Sequence, residues 1–515
     1  MTFDPIRNII PMPTDTSPEI RIVFILGLAL AVVGSCAEAS STEVRRPNVI
    51  FILTDDQGWG DAAFIGHPSA RTPHLDRLAA DGTVVMNFYV NGTVCSPSRA
   101  ACLTGMYPAR LGFHHITSQP EVNRQREIPD WLDPDVTTLA DTFKGAGYTT
   151  AHFGKWHLGK YAGSPPPTAY GFDVAAVSSG SGEQLAQQGE NEDPFRLTAA
   201  AFDRAIAFVR EQKSGPFFVD VWSPLPHAPL RPSPEQRDAF RGLEPEPEAF
   251  GKWMGDYVRA AKDPAGQMRT YLAAVAEVDH QIGRLREALA ELALIEDTII
   301  VFTSDNGPED YAVGNASNAG MGSPGSFRGR KRSLYEGGTR VPFIAVWPGR
   351  IPAGRMDTET ILSGVDLMPT LAALAGIPCE ASDIDGEDMA AALRGGSQPR
   401  RKPLHWEWLF EVAGNRAYFP PPLAVRDGPW KFYCDHKGGT PQLYDLSRDP
   451  GELEELSARH PDVVDRLRDS ALTWVASLPP ARLRDKVAEG ADRMTLYVPE
   501  PRSKTRAKSR PGASN

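Results

Sequence analysis

Two apolar runs of the chain lead directly into short clusters of Asp, Asn and Gly. The runs are NVIFIL at 48–53 and TIIVF at 298–302. Runs of this kind are typical of parallel strands buried on both faces, and the carboxyl ends of such strands line the ligand crevice of an open sheet. Carboxylate and amide oxygens are hard ligands, so the clusters predict a site for Ca²⁺ or Mg²⁺, although Asp and Asn also form ordinary turns. The predicted ligands are Asp55, Asp56, Asp305 and Asn306.

A third candidate is Cys95, which opens the segment CSPSRAACLTG at 95–105. Ser96 is a favourable N-cap and Pro97 suits a first helical turn, so the segment predicts a helix. Cys95 would then lie beside a helix N-terminus, where unpaired N–H groups favour an anion. Taken alone, it also fits a structural cysteine of the core. Cys102 would lie about 10 Å further along the helix, which is too far for a disulfide.

Alternating strand and helix patterns must position these residues. Between Arg46 and Pro399, apolar strand runs alternate with helices such as 272–292, whose apolar residues recur every three or four positions. This alternation predicts an α/β fold with a mainly parallel sheet flanked by helices. After Pro399 the pattern changes to short strands and one helix, which predicts a small antiparallel subdomain. The strand patterns cover 404–410, 423–426, 430–434 and 442–446, and the helix pattern covers 452–477.

Composition excludes several classes of protein. The 515 residues are 41% hydrophobic and 23% charged, which is enough for a large core and unlike a disordered chain. A net charge of −11 argues against a general nucleic-acid binder. The five cysteines form no Cys-x-x-Cys pair, so a zinc ribbon does not fit.

The N-terminal region has the pattern of an export leader. An Arg precedes a short apolar run at 20–37, and Ala37-Glu38-Ala39 offers a cleavage site. Alternatively, VGSC at 33–36 resembles a bacterial lipobox, in which Cys36 would carry a lipid anchor. Either interpretation predicts an exported protein, in the periplasm or as a lipoprotein at the outer membrane or cell surface.

Together these patterns predict four segments: a leader at 1–39, a catalytic domain at 46–399, a C-terminal subdomain at 400–480, and a basic disordered tail at 481–515.

The segment CSPSRAACLTG resembles the signature of the sulfatase family, Cys-x-Pro-Ser-Arg followed by Leu-Thr-Gly. The resemblance extends from Arg46 to about residue 475. It implies an alkaline-phosphatase-like fold and hydrolysis of a sulfate ester to an alcohol and inorganic sulfate. Further matching segments are DDQGWGD at 55–61, GKWHLG at 154–159, SPLPHAP at 223–229, TSDNG at 303–307, RGRKRSLYEGGTRVP at 328–342 and LYDLSRDPGE at 443–452.

The resemblance also implies a cofactor and its ligands. Cys95 matches the cysteine that a formylglycine-generating enzyme converts to formylglycine (3-oxoalanine), whose hydrate is the nucleophile. Its oxygen would complete the shell of a calcium ion. The four acidic and amide residues identified above match the other calcium ligands of the family.

Five further residues match family positions that handle sulfate. Arg99 resembles the arginine that fixes the hydrate, and His157 the histidine that assists its breakdown. The other three resemble the groups that contact sulfate: Lys155, Lys331 and His227, of which His227 would also protonate the leaving oxygen. By themselves, the two histidines and Lys155 would also fit ordinary core or solvated positions.

These residue types suit the chemistry. A sulfate ester is a weak electrophile, so cationic donors and a divalent metal must stabilise the charge that develops on its oxygens. A nearby histidine can exchange protons at neutral pH. A geminal diol can attack with one hydroxyl and later expel sulfate with the other, whereas a thiolate would form a thiosulfate ester that is hard to release.

Two other functions remain open from sequence. One is a phosphonate monoester or phosphodiester hydrolase of the same superfamily, and the other is a silent protein that binds sulfated glycans. The substrate, a small aryl sulfate or a sulfated glycan, is also open.

Overall fold

The computed structural model describes residues 46–161, 163–185, 193–312, 314–381, 383–411 and 414–496. The predicted leader at 1–39, the lipobox Cys36 and the end of the predicted tail from 497 lie outside the described residues. In the described part of the chain, no helix combines the length and the hydropathy that a bilayer span requires.

The described residues form thirteen strands and fourteen α-helices. The strands are β1 (Asn48–Thr54), β2 (Thr83–Tyr89), β3 (Thr149–Gly154), β4 (Val174–Val177), β5 (Glu183–Gln184), β6 (Phe217–Trp222), β7 (Thr298–Ser304), β8 (Phe343–Val346), β9 (Arg355–Ser363), β10 (Leu404–Glu407), β11 (Leu423–Asp427), β12 (Trp430–Cys434) and β13 (Gln442–Asp445). The helices are α1 (Pro73–Asp81), α2 (Cys95–Thr104), α3 (Pro120–Gln125), α4 (Leu139–Gly145), α5 (Pro194–Glu211), α6 (Pro234–Asp238), α7 (Lys252–Ala260), α8 (Pro264–Glu291), α9 (Ala316–Ala319), α10 (Glu336–Thr339), α11 (Leu367–Ala375), α12 (Ala390–Leu393), α13 (Pro461–Ala476) and α14 (Arg482–Ala488).

A nine-stranded sheet in the described chain has the order β5-β4-β3-β6-β1-β7-β8-β2-β9. Only β8 runs antiparallel to its neighbours, β7 and β2. The central strand β1 pairs in parallel with β6 and β7, and its register with β7 runs from Asn48 opposite Thr298 to Thr54 opposite Ser304. The residues that follow β1 and β7 therefore lie side by side at the carboxyl end of the sheet, as the sequence predicts.

Helices cover both faces of this sheet. Ile50 and Ile52 of β1 face a core that includes α1, α5 and α8, whereas Val49, Phe51 and Leu53 face a core that includes α2, α4 and α11. The amphipathic helix predicted at 272–292 begins earlier, at Pro264, because Asp263 caps it and proline suits its first turn. The predicted α/β fold with a mainly parallel sheet flanked by helices is confirmed.

The C-terminal part forms a separate four-stranded antiparallel sheet, β10-β11-β12-β13, against which α13 packs. The predicted strand at 404–410 ends at Glu407, and Trp406 is buried in the core. The predicted helix at 452–477 begins only at Pro461, because the residues before it form turns and proline cannot occupy a helix interior. The bounds 46–399 and 400–480 stay predictions.

The start of the predicted tail is folded. Within 481–515, residues 482–488 form α14, so the prediction of a disordered tail is wrong for these residues. Leu483 is buried, and Arg484 donates to Glu407 of β10 at 2.6 and 3.1 Å. A buried leucine and a paired arginine thus hold this segment in place. Its sequence has too little periodicity to predict a helix.

Candidate active site

The predicted metal ligands converge where β1 and β7 end. Asp56 N donates to Asp305 Oδ1 at 3.2 Å, and Asn306 Nδ2 donates to Asp56 Oδ1 at 2.7 Å. Asp56 adopts a left-handed backbone conformation (φ 64°), which is uncommon for a residue other than glycine. One ligand atom from each of Asp55, Asp56, Asp305 and Cys95 lies within 4.8 Å of the others, and all four residues are buried. The structure thus brings the predicted set together.

Cys95 is the first residue of α2, and all ten residues of this helix are buried. Val94 is the N-cap, so Ser96 is not the cap that the sequence predicts; its hydroxyl donates to His157 O at 2.7 Å instead. Cys95 Sγ contacts Asp55 Oδ1 at 3.2 Å. Burial raises the pKa of the Cys95 thiol well above its usual range, and Asp305 raises it further. Cys102 is also a free thiol, in agreement with the predicted spacing.

Two lysines flank Cys95 from different parts of the chain. Lys155 follows β3, and its Nζ lies 3.5 Å from Cys95 Sγ and pairs with Asp55. Lys331 Nζ lies 3.7 Å from the same sulfur and 2.5 Å from Asp56 Oδ1. Burial alone would lower the pKa of Lys331, but Asp56, Cys95 and Glu309 together outweigh it and raise the pKa well above its usual range. Both ammonium groups are therefore charged beside Cys95.

Arg99 lies one helical turn after Cys95 and is fully buried. Its Nε and Nη2 donate to Asp305 Oδ2 at 2.9 and 2.7 Å, and its Nη1 donates to Lys155 O at 2.6 Å. A buried guanidinium held at three points is rigid, so Arg99 fixes Asp305 and the loop of Lys155 relative to α2.

The two predicted histidines differ in exposure. His157 is buried, and neither of its ring nitrogens has a hydrogen-bond partner among the described residues. Burial, together with the positive charge of Lys155, holds its pKa well below its usual range, so its ring is neutral. The side chain of His227 is 35% exposed, and its Nε2 lies 3.6 Å from Asp56 Oδ2. His227 thus stands at the open side of the site, and His157 within it.

The donor set fits a divalent cation. Asp56 Oδ2 and Asn306 Oδ1 are buried oxygens without a hydrogen-bond partner in the described part of the protein. Burying such groups is costly unless something compensates them. Like charges also crowd the site: burial and the neighbouring Asp55 raise the pKa of Asp305 to about 6. A cation with oxygen ligands would relieve both costs.

Glu309 is a buried acidic residue near the site that the sequence does not single out. One of its carboxylate oxygens, one of Asp56 and a ring nitrogen of His227 lie within 4.8 Å of one another. Its Oε1 accepts from Arg332 Nη1 at 2.5 Å. The one available signal is its place four residues after Asp305, where an acidic pair follows the turn.

Comparisons with known proteins agree with this geometry. Residues 47–377 match the family model described as Sulfatase, and residues 325–472 match the model described as N-sulphoglucosamine sulphohydrolase, C-terminal. Human arylsulfatase A is 31% identical over 489 residues, covering 83% of this chain and 87% of that protein.

The chain belongs to the sulfatase family. It is accordingly a sulfuric ester hydrolase. Human N-acetylgalactosamine-6-sulfatase is another relative, 30% identical, with 85% of this sulfatase and 87% of that protein covered. Among solved structures, Ps i-CgsB in complex with k-i-k-neocarrahexaose shares 25% identity with a TM-score of 0.68, covering 84% of this chain and 93% of that one. The two matched family models together span both sheets of the fold.

Proposed function

We propose that this sulfatase hydrolyses sulfate esters with a formylglycine formed from Cys95 and a calcium ion bound beside it. The observation that carries the proposal is the position of Cys95 Sγ, which lies 3.5 Å from Lys155 Nζ, 3.7 Å from Lys331 Nζ and 3.2 Å from Asp55 Oδ1. An oxygen atom at this position would lie close to both cationic donors and metal ligands. A protonated, buried thiol would be a poor nucleophile there.

Four carboxylate and amide residues would hold the calcium ion: Asp55, Asp56, Asp305 and Asn306. A bound ion would supply positive charge beside the sulfate oxygens. A formylglycine hydrate at position 95 would supply one hydroxyl for attack on sulfur and a second for release of sulfate.

The remaining predicted residues have complementary roles in this proposal. Lys155 and Lys331 bind the sulfate oxygens and stabilise the charge that grows on them. Arg99 orients the group at position 95. Neutral His157 accepts a proton from that group when sulfate leaves, and His227, at the open side, protonates the oxygen of the departing alcohol.

Two kinds of substrate are supported by the relatives. The names arylsulfatase A and N-acetylgalactosamine-6-sulfatase indicate aryl and amino-sugar sulfates, and the carrahexaose complex indicates a glycan. Lys155, Lys331 and His227 would contact the sulfate group, which both kinds of substrate have in common, so the proposed site accepts either kind. We propose a sulfated glycan or aryl sulfate, with substrate panels of each as the test.

Peptide mass spectrometry tests the proposed nucleophile. The chain should be produced with and without a formylglycine-generating enzyme, and the peptide containing Cys95 compared. We expect the mass loss of a thiol-to-aldehyde conversion in the active preparation only, and no turnover in Cys95→Ala. Full activity with an unmodified Cys95 would overturn the proposal.

Turnover of matched nitrophenyl esters separates the alternatives. We expect faster hydrolysis of the sulfate ester than of the phosphonate or phosphodiester. Faster phosphonate turnover would assign the chain the other hydrolase activity of the superfamily, and glycan binding without any sulfate release would assign it a binding role.

We also propose export through the leader at 1–39, as a periplasmic protein or with a lipid at Cys36. Metabolic labelling with a radiolabelled fatty acid tests the anchor. Label that is lost in Cys36→Ala supports lipidation, and cleavage after Ala39 without label supports an ordinary signal peptide.

A further inference from the structure

Residues 328–340, called here the Lys331 segment, carry the lysine that reaches Cys95. Its regular structure is limited to the one-turn helix α10 (Glu336–Thr339). Lys331 N donates to Pro308 O at 2.9 Å, and Arg332 N donates to Thr93 O at 2.9 Å. Because regular structure does not fix this segment, the position of Lys331 Nζ depends on contacts made by its other residues.

Many of these contacts come from beyond residue 400. Arg328 Nε donates to Ala417 O at 2.7 Å, and Ser333 Oγ donates to Tyr418 O at 2.5 Å. Tyr335 OH donates to Gln442 Oε1 of β13 at 2.7 Å. Strand β13 of the C-terminal sheet and the loop between β10 and β11 therefore hold the segment along its length.

Two buried glutamates lie at the centre of this contact. Glu336, the first residue of α10, donates its backbone N–H to Glu452 Oε2 at 2.8 Å. Its carboxylate accepts from Lys431 Nζ of β12 at 3.1 Å and from Tyr89 OH at 2.8 Å. Every carboxylate oxygen of this Glu336–Glu452 pair thus has a partner.

A hydrogen-bonded chain runs from Glu452 into the Lys331 segment. Tyr433 OH contacts Glu452 Oε1 and donates to Leu334 O at 3.2 Å. The phenol has one hydrogen, so it can donate to Leu334 O only while the Glu452 carboxyl is protonated and donates to the phenol. When Glu452 is ionised, the phenol donates to that carboxylate instead. Glu452 also has a left-handed backbone (φ 54°), and such strain in a residue other than glycine is typically retained for a side-chain role.

The surroundings of Glu452 favour that proton. Burial and the charge of Glu336 raise the pKa of Glu452 to about 8, against the opposing effects of Lys431 and of the hydrogen bonds from Tyr433 and Glu336 N. The other groups that face the pair are tyrosines and arginines: Tyr89, Tyr335, Tyr433, Tyr444, Arg328, Arg340 and Arg426.

We propose that Glu452, Tyr433 and Lys431 are positioning residues for Lys331. They act through Leu334 and Glu336, which lie three and five residues after the lysine, and they set where its ammonium stands beside Cys95. The inference rests on the proposed sulfate-binding role of Lys331. It gives the C-terminal sheet a part in the reaction although none of these three side chains touches Cys95 in the described contacts.

Glu452→Gln is the first test, because an amide reproduces the protonated carboxyl. Its NH₂ can donate to Tyr433 and its oxygen can accept from Glu336 N. We expect kcat/KM of this variant to stay within about twofold of wild type below pH 7. Above pH 8 wild type should lose activity as Glu452 ionises and Leu334 O loses its donor, so the ratio of variant to wild type should rise about fivefold or more. A ratio that stays constant with pH would overturn the proposal.

A double-mutant cycle is the second test. Glu452→Ala should lower kcat/KM about tenfold in the wild-type background but less than twofold when combined with Lys331→Ala. Inhibition by inorganic sulfate should weaken in the same pattern. If the effects of Glu452→Ala and Lys331→Ala on kcat/KM and on sulfate inhibition simply multiply in the double variant, Glu452 has a merely structural role and the inference is overturned.

Two controls separate positioning from general destabilisation. Glu455→Gln makes the same chemical change three residues away, where the side chain accepts from Leu443 N at 2.9 Å and does not contact the Lys331 segment. Leu467→Ala removes a buried side chain from the core of the C-terminal part and should destabilise it. The decrease in kcat/KM that it causes should multiply with the decrease caused by Lys331→Ala. If Glu452→Ala does not fold, the pH ratio of Glu452→Gln decides.

The failure of the proposed function gives a different result. Lys331→Ala with unchanged kcat/KM and sulfate inhibition would remove the sulfate-binding role itself, whatever the Glu452 variants do. Loss of activity in Lys331→Ala with no coupling to Glu452 would overturn only the positioning.

Discussion

Two buried clusters of charge include residues of the Lys331 segment, and they differ in how completely their atoms are paired. In the site cluster, Asp56 Oδ2, Asn306 Oδ1 and both nitrogens of His157 have no hydrogen-bond partner among the described residues. In the Glu336–Glu452 pair, every carboxylate oxygen is hydrogen-bonded. Buried polar groups are costly unless they are satisfied. The first cluster therefore has the properties of a binding site and the second those of a support.

The largest expected difference is in the response to metal removal. Dialysis against a chelator should reduce hydrolysis of nitrophenyl sulfate to background and lower the thermal midpoint, because the clustered carboxylates would lose the cation that offsets their repulsion. Calcium should restore both. Full activity in a sample whose metal content is zero would show that the cluster needs no cation.

Removing the cation from the supporting cluster should mainly affect stability. Lys431→Met leaves the Glu336 carboxylate buried without its closest cation, which should cost about 3–5 kcal/mol of unfolding free energy. Denaturant titration measures this. Lys437→Met, at an exposed position on the next turn, is the matched control. Equal stabilities of the two variants would contradict the assignment of this cluster as a support.

Removing a cation from the site cluster should mainly affect turnover. Lys331→Ala should lower kcat/KM about 10²–10³-fold, as expected when one donor to a developing anion is lost. Its unfolding free energy should change less than that of Lys431→Met, because Asp56 keeps Asn306 and the proposed metal. Steady-state kinetics and denaturant titration of the two lysine variants test the contrast. Exposed Lys252→Ala should leave both measurements unchanged.

The last expected effect appears only at acid pH and concerns stability. His152 of β3 is buried among Trp156, Phe172 and Trp222, and burial lowers its pKa to about 3. As the pH falls, the His152 ring is therefore protonated in the unfolded chain before it is protonated in the folded protein. The free energy of unfolding should decrease by about 1.4 kcal/mol per unit as the pH drops from about 6.5 towards 3.

His152→Phe should flatten this slope in urea titrations at a series of pH values. Replacement of His280, an exposed residue of α8, is the control, since an exposed side chain changes little on unfolding. An unchanged slope in His152→Phe would assign the acid lability to other groups.

The sequence predicts the parts that depend on local pattern. Asp55, Asp56, Asp305 and Asn306 follow buried strands, and parallel pairing of β1 with β7 is enough to bring them together. Cys95 is identified by its motif, and the first turn of α2 places it at the site. The five cationic and histidine positions come from the family resemblance, and the structure brings Lys155 and Lys331 to the same sulfur.

The parts that sequence does not predict depend on long-range contact. Glu452 pairs with Glu336 across more than a hundred residues, and Arg484 binds Glu407 of the C-terminal sheet. Neither pairing leaves a local signal, because the burial and the partner of each side chain are set only when distant segments of the chain pack together. The start of α13 at Pro461 is different, because proline favours the first turn of a helix and is thus a local signal.

The burial of α2 also constrains when the proposed conversion of Cys95 can occur. All ten residues of the helix are enclosed by the sheet and its neighbours, so an enzyme that must hold Cys95 and the residues after it cannot reach them in the folded protein. The proposed maturation must therefore precede the closing of this core, while 95–105 is still an accessible peptide. Cells that fold the chain faster than they modify it would accumulate a stable, correctly folded and inactive protein that no later exposure to the modifying enzyme could repair.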